Sequence, residues 1–140
     1  MTKILLFNIV RYIHGKIRLI FWLYAFTILV LSLLPQQSLP AFSFSLDLLQ
    51  PDKIAHLILY FGATVLGLLA FGAVEQKYRR WLRIGGLLII YGIVIELLQG
   101  CSPSRNFDLG DILANIIGVI LGITAFPLFL RYYNGMPTKK

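Results

Sequence analysis

Four long apolar blocks dominate the pattern of hydrophobic and polar positions along the chain. They cover residues 17–34, 54–74, 81–100 and 110–130. Each block is close to the roughly 20 residues that an α-helix needs to cross a hydrocarbon core about 30 Å thick. The strict two-residue alternation of a transmembrane barrel is missing. The pattern therefore predicts an all-α membrane protein whose four transmembrane helices form a compact antiparallel bundle.

The segments outside the blocks predict one compact domain over residues 1–140. The N-terminal stretch "MTKILLFNIVRYIHGK" carries Lys3, Arg11 and Lys16 among apolar residues. This composition is typical of a short amphipathic segment at a membrane interface. Three prolines interrupt the link between the first two blocks. The next link is short, which predicts that the second and third spans are antiparallel neighbours.

The composition favours the same class of protein. Of 140 residues, 58% are hydrophobic and only 14% are charged, whereas a soluble domain has about a quarter of its residues charged. The chain therefore has too few charges to cover the surface of a soluble globular domain. We expect a lipid bilayer as its surroundings.

The net charge of +7 is distributed along the chain in a way that indicates orientation. All basic residues except Lys53 and Arg105 lie before or at the start of the first block, between the second and third blocks or at the start of the third, or after the fourth. By the positive-inside rule this predicts a multi-pass protein of the inner (cytoplasmic) membrane with both termini in the cytoplasm. A nucleic-acid partner is excluded as the explanation of the charge.

Polar residues recur on one face of the second span. In "DKIAHLILY", Asp52, His56 and Tyr60 are spaced i, i+4, i+8, and therefore share one side of a helix. At the rise of an α-helix they cover about 12 Å of depth. The spacing predicts a polar stripe that runs inward from the outer surface.

The third and fourth spans bring polar residues to the same depth. In "DLGDILANIIG", Asp108, Asp111 and Asn115 are spaced i, i+3, i+7, and Glu96 and Gln99 lie near the outer end of the third span. Ionisable residues inside a membrane are costly and mark functional sites by default. The coincidence of three helices predicts an outward-facing polar pocket.

A structural interpretation of the aspartates is equally open. Asp108 fits a helix N-cap with Asp111 at N3, an arrangement close to a capping box. Asp52 after Pro51 suits the positive end of a helix dipole. Capping alone does not require Asn115 on the same face.

Glu96 is harder to explain as a helix terminus residue. It lies in the last turns of a span, where the helix dipole disfavours an acid. We therefore expect it to face inward and to be partnered by His56, Arg105 or Lys53. Arg105 could alternatively bind an anionic group of a ligand as a bidentate fork.

The remaining polar and small residues predict helix packing. Tyr60, Gln99 and Asn115 are residue types that form hydrogen bonds between membrane helices. Small residues let such helices approach closely, and we assign this role to a set of glycines: Gly85, Gly86, Gly92, Gly118 and Gly122. No P-loop, zincin or nucleophile-elbow signature occurs. The acidic and histidine side chains specify no particular metal or cofactor.

Three stretches taken in order, "DKIAHLILYFG", "IELLQG" and "RNFDLGDILANIIGVILG", resemble the VanZ-like family of bacterial membrane proteins. The resemblance covers about residues 35–126. It implies a small four-helix protein of the cell envelope, in a family whose founding member is associated with low-level resistance to the glycopeptide teicoplanin. The positions that match the motif are Asp52, Lys53, His56, Tyr60, Glu96, Gln99, Arg105, Asp108, Asp111 and Asn115. Beside the acid/base candidates Glu96, His56, Asp108 and Asp111, the other six of these positions are candidate ligand-binding residues.

Three functions are compatible with these residues. The first is a protein that binds or modifies an anionic lipid headgroup or lipid-linked cell-wall intermediate. If it is an enzyme, Glu96 and His56 form the acid/base pair, Asp108 and Asp111 are orienting groups or metal ligands, and Lys53 and Arg105 contact the anion. The second is an accessory protein of cell-wall machinery that performs no chemistry. The third is a small proton-coupled transporter.

Overall fold

The computed structural model contains four α-helices: α1 (Thr2–Leu33), α2 (Pro51–Phe71), α3 (Tyr78–Gly100) and α4 (Leu109–Gly135). It describes the backbone of residues 2–34, 50–72, 78–103 and 107–135, and the side chains of residues 15–34, 50–72, 78–103 and 107–128. No strand occurs in these ranges, and the predicted all-α fold class is confirmed. Most of the proline-rich link and Arg105 lie outside the described residues.

Each helix contains a stretch long and apolar enough to cross a membrane. These stretches are Gly15–Leu33, Pro51–Phe71, Tyr78–Gly100 and Leu109–Leu128, so the four predicted spans are confirmed. α1 joins the predicted N-terminal segment to the first span in one helix. The position of that segment at a membrane interface stays a prediction.

Large apolar side chains lie on the outside of the bundle. Trp22, Leu87 and Leu128 are each more than 60% exposed. In lipid such side chains meet a solvent as apolar as themselves, so their exposure carries no hydrophobic penalty. The interior instead includes polar residues, among them Glu96 and Asn115. This distribution is what a bilayer environment favours.

The closest packing joins α2 to α4, and the two helices run in the same direction. A β-carbon at Gly118 would overlap the Leu57 carbonyl oxygen, and one at Gly122 would lie 2.6 Å from Cβ of Thr64. Two glycines one turn apart therefore let the backbones of α2 and α4 come together. The packing role predicted for Gly118 and Gly122 is confirmed.

The glycines of α3 divide into two groups. A β-carbon at Gly85 would lie 2.6 Å from Cδ1 of Ile123, and one at Gly92 would lie 3.0 Å from Nδ2 of Asn115. Both glycines pack against α4, as predicted. The same prediction is wrong for Gly86, whose β-carbon would meet nothing within 4 Å. Gly85 and Gly86 are neighbours in the chain, so a helix that buries the first turns the second outward.

Candidate functional site

One end of the bundle collects the polar residues of three helices, and we call it the polar end. α2 and α4 begin here and α1 and α3 end here, as the contacts Lys53–Asp108 and Gln99–Ser32 show. Pro51 occupies the first turn of α2, where the missing proline N–H costs no hydrogen bond. The side chains that gather there form what we call the polar cluster: Asp52, Lys53, His56, Tyr60, Glu96, Gln99, Asp108, Asp111 and Asn115.

Lys53 connects the start of α2 to the start of α4 through its side chain. Its Nζ donates a hydrogen bond to Oδ2 of Asp108 at 2.6 Å and lies 3.6 Å from Oδ1 of Asp111. It also donates to Oε1 of Gln50 at 3.0 Å. One lysine therefore faces two aspartates of the polar cluster. The contact predicted between Lys53 and an anionic group of a ligand stays a prediction.

Asp108 caps α4 as predicted, but the predicted capping box does not form. Its Oδ1 accepts a hydrogen bond from the Gly110 N–H at 2.6 Å. In a capping box the side chain at N3, here Asp111, would accept the N-cap N–H. The N–H of Asp108 instead donates to Oε1 of Glu96 at 2.7 Å. Asp111 is thereby released from capping and points toward Lys53 and His56.

Glu96 is fully buried, as predicted for an inward-facing acid. The hydrogen bond that the structure gives it comes from the backbone N–H of Asp108, not from a cationic side chain. The prediction that His56 or Lys53 would donate to it is therefore wrong, and Arg105 lies outside the described residues. The positive N-terminus of α4 supplies part of the compensation, because the Asp108 N–H belongs to its orphan donors.

His56 occupies a buried position between α2 and α4. Its Nδ1 lies 3.1 Å from Oδ1 of Asn115. An amide oxygen only accepts, so Nδ1 carries the proton, and in the neutral ring Nε2 presents its lone pair. That Nε2 lies 3.9 Å from Oδ1 of Asp52 and 3.8 Å from Oδ2 of Asp111. Asn115 thus sets the tautomer of His56 and aims Nε2 between two carboxylates.

The hydrogen bonds predicted between helices are present for two of three residues. Gln99 Nε2 donates to the Ser32 carbonyl oxygen at 2.7 Å, which joins α3 to α1, and Asn115 binds His56. Tyr60 differs, because its buried hydroxyl has no hydrogen-bond partner among the described residues. The ring packs where Gly92 leaves space on α3.

Unused hydrogen-bonding capacity is concentrated in the polar cluster. Among the described side chains, five buried nitrogen or oxygen atoms have no hydrogen-bond partner. Four belong to the cluster: Tyr60 Oη, Glu96 Oε2, Gln99 Oε1 and Asp111 Oδ1. Because buried polar groups in folded proteins are normally satisfied, each such atom calls for an explanation. Their common location indicates a site rather than scattered packing defects.

Acidification is expected to remove the stabilisation that the Lys53–Asp108 ion pair provides. The hydrogen bond from Lys53, and after it the Gly110 N–H, holds the pKa of the Asp108 carboxyl below its usual range. Because the folded-state pKa is depressed, the contribution is complete above the ordinary aspartate pKa of about 3.9 and is lost as the pH falls through the folded-state value. The carboxyl is 45% exposed, so solvent screening keeps the effect small.

The variant Asp108→Asn isolates this ion pair, since asparagine still caps a helix. Near neutral pH we expect it to be less stable than the wild type by no more than about 1 kcal/mol. Thermal unfolding in detergent over a pH series measures the difference. The gap should close once the pH is below the aspartate range; a gap of constant size throughout would contradict the prediction.

Sequence reasoning missed several contributors to this site. Gln50 and Ser32 contact the cluster through hydrogen bonds to Lys53 and Gln99. The backbone N–H of Asp108 proved to be the partner of Glu96. The Ser32 carbonyl and the Asp108 N–H are backbone groups, which residue type does not distinguish. Gln50 lies in the link before the second apolar block, so the pattern of the spans does not include it.

A protein-family model described as VanZ/LLP1 matches residues 4–130, which adds α1 to the part of the chain that carries the motif residues. No curated protein and no solved structure matches the chain.

Proposed function

The chain belongs to the VanZ/LLP1 family of membrane proteins, and on that premise we propose that the polar cluster binds the polar head of an anionic or lipid-linked component of the bacterial envelope. The observation that carries the proposal is the concentration of unpartnered buried atoms in the cluster. A ligand that enters the polar end would satisfy them.

The chemistry of these atoms indicates what the ligand presents. Three of the four are carboxylate or amide oxygens, which only accept hydrogen bonds. The ligand therefore supplies donors, such as sugar hydroxyls or amide N–H groups. Lys53 and, by its place in the motif, Arg105 would contact a phosphate. A lipid-linked cell-wall intermediate combines a phosphate with sugars and amides.

The proposed orientation places the polar end at the outer leaflet. The basic residues of the links predict an inner-membrane protein with both termini in the cytoplasm. α2 and α4 begin at the polar end, which in that orientation is the outer one. The cluster would then face the compartment in which the cell wall is assembled.

Binding is the function that the geometry supports best. Glu96 binds the Asp108 N–H and His56 binds Asn115; among the described contacts these two side chains share no hydrogen bond. An acid/base pair would work through a substrate placed between them. An accessory role in cell-wall machinery requires only the binding step.

Tyr60→Phe is expected to weaken ligand binding without lowering stability. The Tyr60 hydroxyl has no hydrogen-bond partner among the described residues, so its removal leaves no protein group unpaired. Loss of one hydrogen bond to the ligand should reduce affinity about 5- to 10-fold. Native mass spectrometry of detergent-solubilised protein measures this with phosphatidylglycerol, a polyprenyl phosphate, and a polyprenyl diphosphate carrying a disaccharide-peptide.

Tyr91→Phe is the matched control. The Tyr91 hydroxyl donates to the Ala25 carbonyl oxygen at 2.6 Å, so this variant should lower the unfolding temperature and leave lipid binding unchanged. Equal binding by the wild type and Tyr60→Phe to all three lipids would contradict the proposed site. Preference for the disaccharide-bearing lipid would distinguish a cell-wall intermediate from a simple phospholipid.

We extend the proposal to glycopeptide tolerance, which the sequence resemblance to the VanZ-like family suggests. A protein that holds a lipid-linked intermediate would change how much of it teicoplanin reaches at the outer leaflet. Cells that express the protein should then tolerate more teicoplanin than cells that express Tyr60→Phe at the same membrane level. The minimal inhibitory concentration measures the difference.

A further inference from the structure

Asp52, His56 and Asp111 form a compact group of three potential metal ligands at the polar end. One ligand atom from each residue can be chosen so that all three lie within 4.8 Å of one another. We propose that these residues bind a divalent transition-metal ion, Zn²⁺ or Mn²⁺. The metal site stands whether or not an envelope lipid binds to the protein.

The distances fit a metal better than a set of direct hydrogen bonds. His56 Nε2 is 3.9 Å from Oδ1 of Asp52 and 3.8 Å from Oδ2 of Asp111, too far for hydrogen bonds. Nitrogen and oxygen ligands bind Zn²⁺ at about 2.0–2.2 Å, which separates two ligands of one ion by about 3–4.3 Å. Small side-chain rotations would bring the three atoms onto one ion.

The tautomer of His56 is the one that a metal requires. Nδ1 carries the proton that is donated to Asn115 Oδ1 at 3.1 Å. In the neutral ring Nε2 then carries the lone pair and lies between the two carboxylates. Histidines that bind metals almost always donate their other N–H to an oxygen acceptor, which fixes the ring and raises its basicity. Asn115 fills that role here without touching the ion.

Charge supplies an independent argument. Asp111 and Glu96 are both buried. Glu96 Oε2 and Asp111 Oδ1 have no hydrogen-bond partner among the described residues. Buried carboxylates are costly without compensating positive charge, and the Lys53 charge is shared between Asp108 and Asp111. A divalent cation would supply the charge that the cluster lacks.

The ligand set selects the kind of ion. Imidazole suits Zn²⁺, Fe²⁺ and Ni²⁺, whereas carboxylates suit Mn²⁺, Mg²⁺ and Ca²⁺. One imidazole with two carboxylates favours an ion that accepts both. Three protein ligands also leave coordination positions for a water or an anionic oxygen, as in catalytic metal sites.

The test is a metal titration of the full-length protein in detergent after extraction with a chelator. Isothermal titration calorimetry and elemental analysis should show one equivalent of Zn²⁺ or Mn²⁺, with weaker binding of Mg²⁺ and Ca²⁺. Bound metal should raise the unfolding temperature of the wild type. Failure of the wild type to bind either transition metal would overturn the proposal.

Variants locate the ion within the cluster. Asp52 is 39% exposed at its side chain, so Asp52→Asn should fold and should lose most of the metal affinity. Asn115→Ala should weaken binding about 10- to 100-fold, the usual effect of removing a group that orients a metal-binding histidine. Glu75→Gln, in the segment between α2 and α3, controls for loss of an acid elsewhere. Unchanged affinity in both site variants would place the ion outside this group and overturn the proposal.

The outcome separates this inference from the proposed lipid site. If metal binds but Tyr60→Phe has no effect on any lipid, the metal site stands and the lipid proposal fails. If the lipids bind as expected while neither transition metal binds, the metal site fails alone.

Discussion

Gly118→Ala is expected to lower the free energy of unfolding by about 2–3 kcal/mol, as overpacking of a close interface does. The added β-carbon would overlap the carbonyl oxygen of Leu57 and lie 3.0 Å from the backbone nitrogen of Phe61. Both atoms belong to the backbone of α2, so no side-chain rotation can relieve the overlap. α2 and α4 would have to separate, and the polar cluster between them would open.

Gly86→Ala provides the control within the same protein. A β-carbon there meets nothing within 4 Å, and alanine is a better helix former than glycine by about 1 kcal/mol. This variant should be as stable as the wild type or more so. Thermal unfolding followed by size-exclusion chromatography measures both variants. Equal behaviour of the two variants would show that α2 and α4 are not held as closely as the structure indicates.

Glu96→Leu is expected to destabilise the protein by about 1–3 kcal/mol, which is the cost of leaving a buried hydrogen-bond donor without its acceptor. The variant removes the acceptor of the Asp108 N–H. It thereby cuts the contact that holds the start of α4 to the end of α3. Glu96→Gln keeps an oxygen for this N–H and removes the charge, so it should retain the stability of the wild type within about 1 kcal/mol.

A comparison of Glu96→Leu with Glu96→Gln distinguishes a hydrogen-bonding role of Glu96 from a role in proton transfer. We expect Glu96→Gln to reach normal membrane levels while it abolishes any step that needs proton transfer. Teicoplanin tolerance and lipid binding are the readouts, each normalised to the amount of protein in the membrane. Retention of both by Glu96→Gln would assign Glu96 to hydrogen bonding alone. Instability of Glu96→Gln with a stable Glu96→Leu would contradict the assigned role of the Asp108 contact.

The sequence is informative about the spans and about which helix faces carry polar residues. Helix length is set by membrane thickness, so four apolar blocks suffice to predict four spans. The i, i+4 and i, i+3 spacings place Asp52 with His56 and Asp108 with Asp111 on common faces. His56 and Asn115 meet in the structure as those faces imply.

The pairing of individual groups could not be predicted in the same way. Whether Lys53 meets Asp108 depends on the register of α2 against α4, which no local pattern encodes. The Asp108 N–H competes with side chains for Glu96, and residue identity says nothing about backbone donors. Gly86 was misassigned because apolar residues cover both the lipid-facing and the inward faces of α3, which weakens the periodicity that indicates rotation.

The parallel contact between α2 and α4 has a consequence for biogenesis. A growing chain emerges from its N-terminus, so α2 emerges before Asp108 and Asn115, which contact Lys53 and His56. Asp108 and Asn115 follow 55 and 59 residues later. Individually inserted spans associate afterwards through packing and hydrogen bonds. Insertion of α4 is therefore the step that completes the polar cluster. A chain released before α4 would leave Lys53 and His56 without these two partners, and the cell's quality control could recognise it by these side chains.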